Sequence, residues 1–151
     1  IQQYDGKRKV MHFMQPHYPF PDSSEVPDSV SNFWGKVFDG GIDANDEQLW
    51  KAYSQNFDSV WKEVMNLVQN LEGKTVITSD HGNMFGEESF PFPIREYGHP
   101  HGIYTRELVN VPWLEIRSGE RIDTSKEEKS ESEDYDEEKI KDQLAELGYA
   151  G

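Results

Sequence analysis

Thr75-Val76-Ile77-Thr78-Ser79-Asp80-His81-Gly82-Asn83 is the stretch whose reading decides the fold. Its first four residues are β-branched, the type that packs well on a pleated sheet, and the run stops at a polar turn around Gly82. Upstream, Leu49, Tyr53, Phe57, Val60, Val64, Leu67 and Leu71 recur at intervals of three or four, which is one face of an amphipathic helix over residues 46–71. Asn45 is placed to cap it, Asp46 and Glu47 suit its positive first turn, and Gly73 is placed to end it in the left-handed conformation. A helix feeding a buried strand is the rhythm of an α/β protein, in which helices flank a parallel or mixed sheet.

Working outward, Lys9-Val10-Met11-His12-Phe13-Met14 is predicted as a buried strand ending at Gln15-Pro16, with His12 packed inside it and His17 just beyond. Residues 22–45, rich in Ser, Asp and Gly, read as an irregular excursion with short helical pieces, and residues 83–102, punctuated by Pro91, Pro93 and Pro100, as a long loop. Val111-Pro112-Trp113-Leu114-Glu115-Ile116 reads as a further strand. Residues 1–117 are expected to form the domain, 118–138 an acidic disordered linker, and 139–151 a short terminal helix and tail. Trp50, Trp61 and Trp113 are expected at the core or its edge, and Asn83, Glu87 and Arg95 as solvated loop residues.

The formal net charge is −14, and half of it lies in residues 119–146, which hold twelve acidic and five basic side chains. So acidic a surface repels nucleic-acid phosphates and anionic lipid, which argues against both as partners. Eight Phe, seven Tyr and four Trp supply a core despite the polar average. With no cysteine, disulfides and thiolate metal sites are excluded. No segment reaches the roughly 18–20 apolar residues of a membrane span, and the first residues carry no signal-peptide pattern, so a cytoplasmic location is the default expectation. The start at Ile1, with a charged stretch running directly into a strand, suggests a chain cut from a longer one.

In an open α/β sheet, ligands gather beyond the carboxyl ends of strands, where loops distant in sequence converge. Three histidine-bearing loops are candidates: His17 after the first predicted strand, Asp80-His81 after the second, and His99 and His101 before the third. On a tight turn with Gly82, Asp80 and His81 can offer a carboxylate oxygen and an imidazole nitrogen to one ion, a mixed set that suits Zn, Mn or Fe better than Ca. Taken alone, Asp80-His81-Gly82 reads more readily as an ordinary polar turn, in which His is incidental, and two ligands are too few for a closed site.

The strand and turn at 75–83, with Gly86-Glu87 behind them, resemble the metal loop of the alkaline phosphatase superfamily, sulfatase branch. Pro16-His17-Tyr18-Pro19-Phe20 is similar to that branch's histidine loop beside the sulfate or phosphate. Tyr104, Glu107 and Val111-Pro112-Trp113-Leu114 resemble its stretch in which a Tyr and an acid precede a Val-Pro strand, and Leu144 to Tyr149 looks like the tail of archaeal sulfatase-like proteins. The resemblance runs over residues 9–117 and implies an alkaline phosphatase-like sheet, here in its carboxyl-terminal portion. It implies Asp80 and His81 as metal ligands and His17 as a substrate-contacting or acid/base residue. His99 or His101 would stand where relatives place a second-metal histidine or an anion-binding lysine, and this chain has no lysine there.

By the same resemblance, the nucleophile and a further metal-binding Asp belong to elements preceding residue 1, so the chain alone is expected to be inactive. The whole protein would hydrolyse sulfate or phosphate esters of small molecules or glycans. Asp80-His81-Gly82-Asn83 also fits phosphotransferases and phosphomutases of the superfamily, and a non-catalytic remnant or binding module is the third reading. The acidity matches proteins of salt-loving organisms, so transfer from molar salt to dilute buffer is expected to lower the thermal midpoint through self-repulsion; an unchanged midpoint, followed by circular dichroism, would remove that inference.

Overall fold

The computed structural model describes residues 6–126. Their elements, in chain order, are α1 (Phe33–Phe38), α2 (Asp46–Val68), β1 (Gly73–Thr78), β2 (Met84–Ser89), β3 (Ile94–Gly98), α3 (Arg106–Val109) and β4 (Trp113–Ser118). The fold is mixed α/β with two small antiparallel sheets, β1 with β4 and β2 with β3. Residues 10–122 form one compact unit; the described parts of a second unit are residues 6–9 and 123–126, where Ser125 N donates to Gly6 O at 2.9 Å. Among the described residues, no helix is long and apolar enough to cross a membrane. The predicted helix near the carboxyl end, and most of the acidic linker, lie outside the described residues.

Helix α2 forms where the periodicity placed it, and its start is set by a reciprocal capping box. Asn45 Oδ1 accepts from Gln48 N at 2.9 Å, and Gln48 Oε1 accepts from Asn45 N at 3.0 Å. It ends at Val68, earlier than expected, in a turn closed by Leu71 N donating to Val68 O at 3.0 Å. Gly73 does adopt the left-handed conformation, at φ 88°, but as the first residue of β1, where Ile122 packs against its backbone. The buried line on α2 runs through Leu49, Ala52, Asn56 and Val68, one step round from the predicted stripe, so Phe57 stays exposed and stacks on Trp61 instead.

The core lies where α1 and α2 meet the segment at 18–26 and strand β2. Phe20, fully buried, touches Phe33, Trp34 and Tyr53 edge-on at ring centroid distances of 5.9, 6.0 and 6.4 Å, while Tyr18 stacks on Phe33 at 4.0 Å. Phe85 closes the cluster against Trp34, Trp50 and Tyr53. Offset and edge-on ring contacts of this kind add to plain area burial, which explains how a chain poor in aliphatic residues builds a core. The Tyr18 hydroxyl donates to Pro27 O at 3.0 Å and accepts from Val30 N at 2.6 Å, pinning the irregular excursion to the same cluster.

Several expectations are corrected. The sheet pairing of the described strands is antiparallel, not parallel, with Gly73 opposite Ser118 and Thr78 opposite Trp113. Residues 9–14 form no strand, and His12 is exposed rather than packed. A strand needs a neighbour to take its N–H and C=O groups, and among the described residues none pairs with this run. The stretch 83–102 is not a loop throughout, because its prolines at 91 and 93 fall in the turn of the β2–β3 hairpin and leave both strands free to pair. Trp113 projects from β4 into solvent, and Arg95, expected as a solvated loop residue, is an ion-pair partner of Asp46 and donates to Gly86 O at 2.9 Å.

Replacing Phe20 with Ala removes the ring on which this cluster closes. It should cost about 3–5 kcal/mol of unfolding free energy in urea titration, against about 0.5 kcal/mol or less for exposed Phe90→Ala.

Candidate active site

Three loops carry the site, and each is held by a different device. The first is the turn at 15–18, closed by His17 N donating to Met14 O at 3.0 Å and anchored on its far side by the buried ring of Phe20. The second leaves β1: the Thr78 hydroxyl donates to Pro112 O at 2.7 Å, tying the strand end to the entry of β4. Beyond it, Gly82 N donates to Leu108 O at 2.8 Å, which docks the Asp80-His81-Gly82 turn on α3. A side chain at Gly82 would overlap the Glu107 carbonyl, so glycine is required here by close approach, not by its φ. The third loop leaves β3 through Gly98, at φ 74°, where a Cβ would lie 2.6 Å from the Trp34 ring. Both the conformation and the packing demand glycine immediately before His99.

These devices bring His17, Asp80, His81 and His99 together. His99 sits between the other two imidazoles, with ring centroids 5.2 Å from His17 and 4.4 Å from His81. His17 and His99 face each other through their Nε2 atoms at 3.0 Å, across 82 positions of sequence. His101, in the adjoining turn, makes none of these contacts, so of the two histidines near residue 100 it is His99 that joins the cluster.

The partners assign the tautomers. His17 Nδ1 lies 2.6 Å from Tyr18 O and His81 Nδ1 lies 2.7 Å from Gly82 O. A carbonyl can only accept, so both Nδ1 atoms carry hydrogen and, in the neutral rings, both Nε2 atoms are bare. The proton between His17 and His99 therefore resides on His99 Nε2, which donates. An imidazole whose Nδ1–H is fixed by a backbone carbonyl is the usual arrangement of a metal-binding histidine, because it aims the opposite lone pair outward. Asp80 Oδ1 accepts from His81 N at 3.0 Å and lies 3.8 Å from His81 Nε2, so carboxylate and imidazole are neighbours on one exposed turn. Asp80 and His81 place a carboxylate oxygen and an imidazole nitrogen side by side, two donors in all; among the described residues, no group of three or more His, Cys, Asp and Glu is arranged to hold a metal ion.

His99 titrates below the ordinary histidine value of 6.5, chiefly because its ring is partly desolvated and secondarily because His81 and His17 would share its positive charge; its own backbone carbonyl and Asp80 oppose this. The residue as a whole is exposed, and the imidazoles of His17 and His81 packed beside its ring partly displace water from it.

The sequence did not single out three residues that build this site. Trp34 and Gly98 set the direction of the third loop, and Asn56 on α2 reaches the first. A buried Asn on a helix face otherwise filled by apolar residues was the one available signal.

No protein-family model, no curated protein and no solved structure matches the chain.

His99 should show an imidazole midpoint below 6.5 in an NMR titration, and His81→Gln should raise it by removing the larger of the two neighbouring repulsions. Because the folded value is depressed, the associated stability is present above pH 6.5 and is lost as pH falls through the folded midpoint. A His99 midpoint at or above the ordinary value contradicts the packing described.

Proposed function

We propose that this chain carries part of the active site of a metal-dependent hydrolase of sulfuric or phosphoric esters, on strands belonging to an alkaline phosphatase-like α/β sheet. The observation that carries the reading is the convergence of His17, Asp80, His81 and His99 from three separate loops, with the Nδ1–H of His81 fixed by a backbone carbonyl so that its Nε2 is bare beside Asp80, and with His17 and His99 hydrogen-bonded to each other. Asp80 and His81 are the residues that would hold the ion, and the remaining donors and the nucleophile would come from outside residues 6–126. When bound, such an ion polarises an ester oxygen and makes an oxygen nucleophile available at neutral pH.

The chain's own residues supply the rest. His99 offers an N–H donor, and its protonation is opposed by partial desolvation and by repulsion from the neighbouring imidazoles when they are charged. The negative charge of a sulfate or phosphate group offsets both, so the ester's arrival favours proton uptake by His99 and gives the cluster an acid able to serve the leaving oxygen. His17, already hydrogen-bonded to His99, is the group through which that proton is shared. The substrate class is a small-molecule or glycan ester, in keeping with an exposed cluster and an acidic surface unsuited to nucleic acid.

Two measurements test this. Calorimetric titration of Mn²⁺ or Zn²⁺ should show binding that Asp80→Ala and His81→Ala each weaken by more than the ~10–100-fold typical of losing an outer partner of a ligand. A polypeptide that joins this chain to a nucleophile-bearing segment of the same fold should hydrolyse an aryl sulfate or aryl phosphate, and lose that activity with either substitution. Hydrolysis that survives His81→Ala unchanged removes the reading.

A further inference from the structure

We infer that Asn56 is a positioning residue that sets His17 against His99, and that α2 is the template holding both histidines in register. The functional weight of this inference rests on the reading of the histidine cluster proposed above; its structural content does not.

Asn56 is the one buried polar or charged side chain among the described residues, 1% exposed, on the inward line of α2. Its Nδ2 has two hydrogens and two acceptors: His17 O at 3.4 Å and Pro19 O at 3.3 Å. Its Oδ1 has no partner. A buried amide that leaves its acceptor orphaned carries a cost an apolar side chain of the same size avoids, so its donors must account for its place in the helix. Both donors go to the histidine loop and neither to the scaffold.

The two clamped carbonyls flank Tyr18 in sequence, and the carbonyl between them, Tyr18 O, is the acceptor that holds His17 Nδ1–H at 2.6 Å. Fixing the peptides on either side fixes the direction of that middle carbonyl. The carbonyl in turn selects the tautomer and ring angle of His17, and these leave Nε2 bare toward His99. Asn56 thus acts on His17 through the backbone without touching its ring.

The same helix holds the other side. Asp46, ten residues earlier and about 15 Å away along the axis, pairs with Arg95 and accepts from the Tyr97 hydroxyl at 3.1 Å. Both partners lie on β3, which runs through Gly98 into His99. One rigid helix therefore spans from the anchor of one histidine to the anchor of the other. The helix thereby fixes the spacing of the two anchors from which the loops carry His17 and His99.

The test uses the full 151-residue chain and long-range ¹H–¹⁵N correlation spectra of its histidine rings. Asn56→Leu, close in size and without donors, should lose the single Nδ1–H tautomer of His17 and the His17–His99 hydrogen bond. Asn56→Asp, which in ionised form turns an acceptor toward two carbonyls, should do the same. Leu49→Ala, a buried change on the same helix without a bond to the loop, should keep both features even where it lowers the thermal midpoint further. An unaltered His17 in Asn56→Leu overturns the inference, as does equal loss in Leu49→Ala. If neither Asn56 variant folds, the wild-type side chain still decides: its two amide hydrogens should exchange slowly with solvent, and rapid exchange at the rate of an exposed asparagine overturns it. Ion titration of the wild type separates the two readings, because a chain that binds no Mn²⁺ or Zn²⁺ yet loses His17 order in Asn56→Leu keeps the positioning role and abandons the hydrolase.

Discussion

Burial of the Phe20 ring is the constraint on which the rest of the structure depends. With only irregular backbone on either side, residues 15–32 have no ladder to hold them, and the ring enters a pocket walled by Phe33, Trp34 and Tyr53. That single insertion draws the excursion at 22–32 against α1 and α2, with the Tyr18 hydroxyl stitching it at Pro27 and Val30. It also places His17, three residues earlier, at the lip of the core instead of in free solvent. An aromatic core suits this task because flat rings meeting edge-on define directions, whereas aliphatic packing defines mainly volume.

The other two loops answer to backbone proximity. The β1–β4 ladder puts Thr78 opposite Trp113, which forces the turn after β1 to run beside the chain entering β4, where α3 stands. At Gly82 and Gly98, beside the histidines, another group comes so close that no side chain fits, the Glu107 carbonyl in one case and the Trp34 indole in the other. The histidines beside them are held by contacts that lie mostly outside their own rings. This leaves the imidazoles exposed enough to meet a ligand and still oriented.

Electrostatically the cluster is a compromise. Three imidazoles lie in contact, two of them hydrogen-bonded, so the middle ring resists protonation while Asp80 partly offsets the repulsion. The chain's overall acidity does nothing to prevent this, because most of its carboxylates are far along the sequence from residues 17, 81 and 99. Local desolvation outweighs distant charge screened by water.

Helix α2, the β1 and β4 strands and the short helical piece at 33–38 were legible in the sequence because each is specified locally, by a three-to-four periodicity, a β-branched run or a polar excursion. The four histidine-loop candidates were legible as residue types capable of chemistry at predicted strand ends. The hairpin at 84–98 was hidden by prolines that turned out to occupy its turn, and the apolar run at 9–14 looked like a strand because composition cannot say whether a partner strand exists. By itself the sequence determined which segments could be helical, which groups could hold a proton or an ion, and that no thiol could take part. Only tertiary structure decided that His99 and not His101 meets His17, that the strands pair antiparallel, and that a buried Asn56 grips the loop. The physical reason is range: propensity and periodicity act within a few residues, while the 82-residue contact between His17 and His99 exists only after an aromatic core, two glycines and one helix have set the distance.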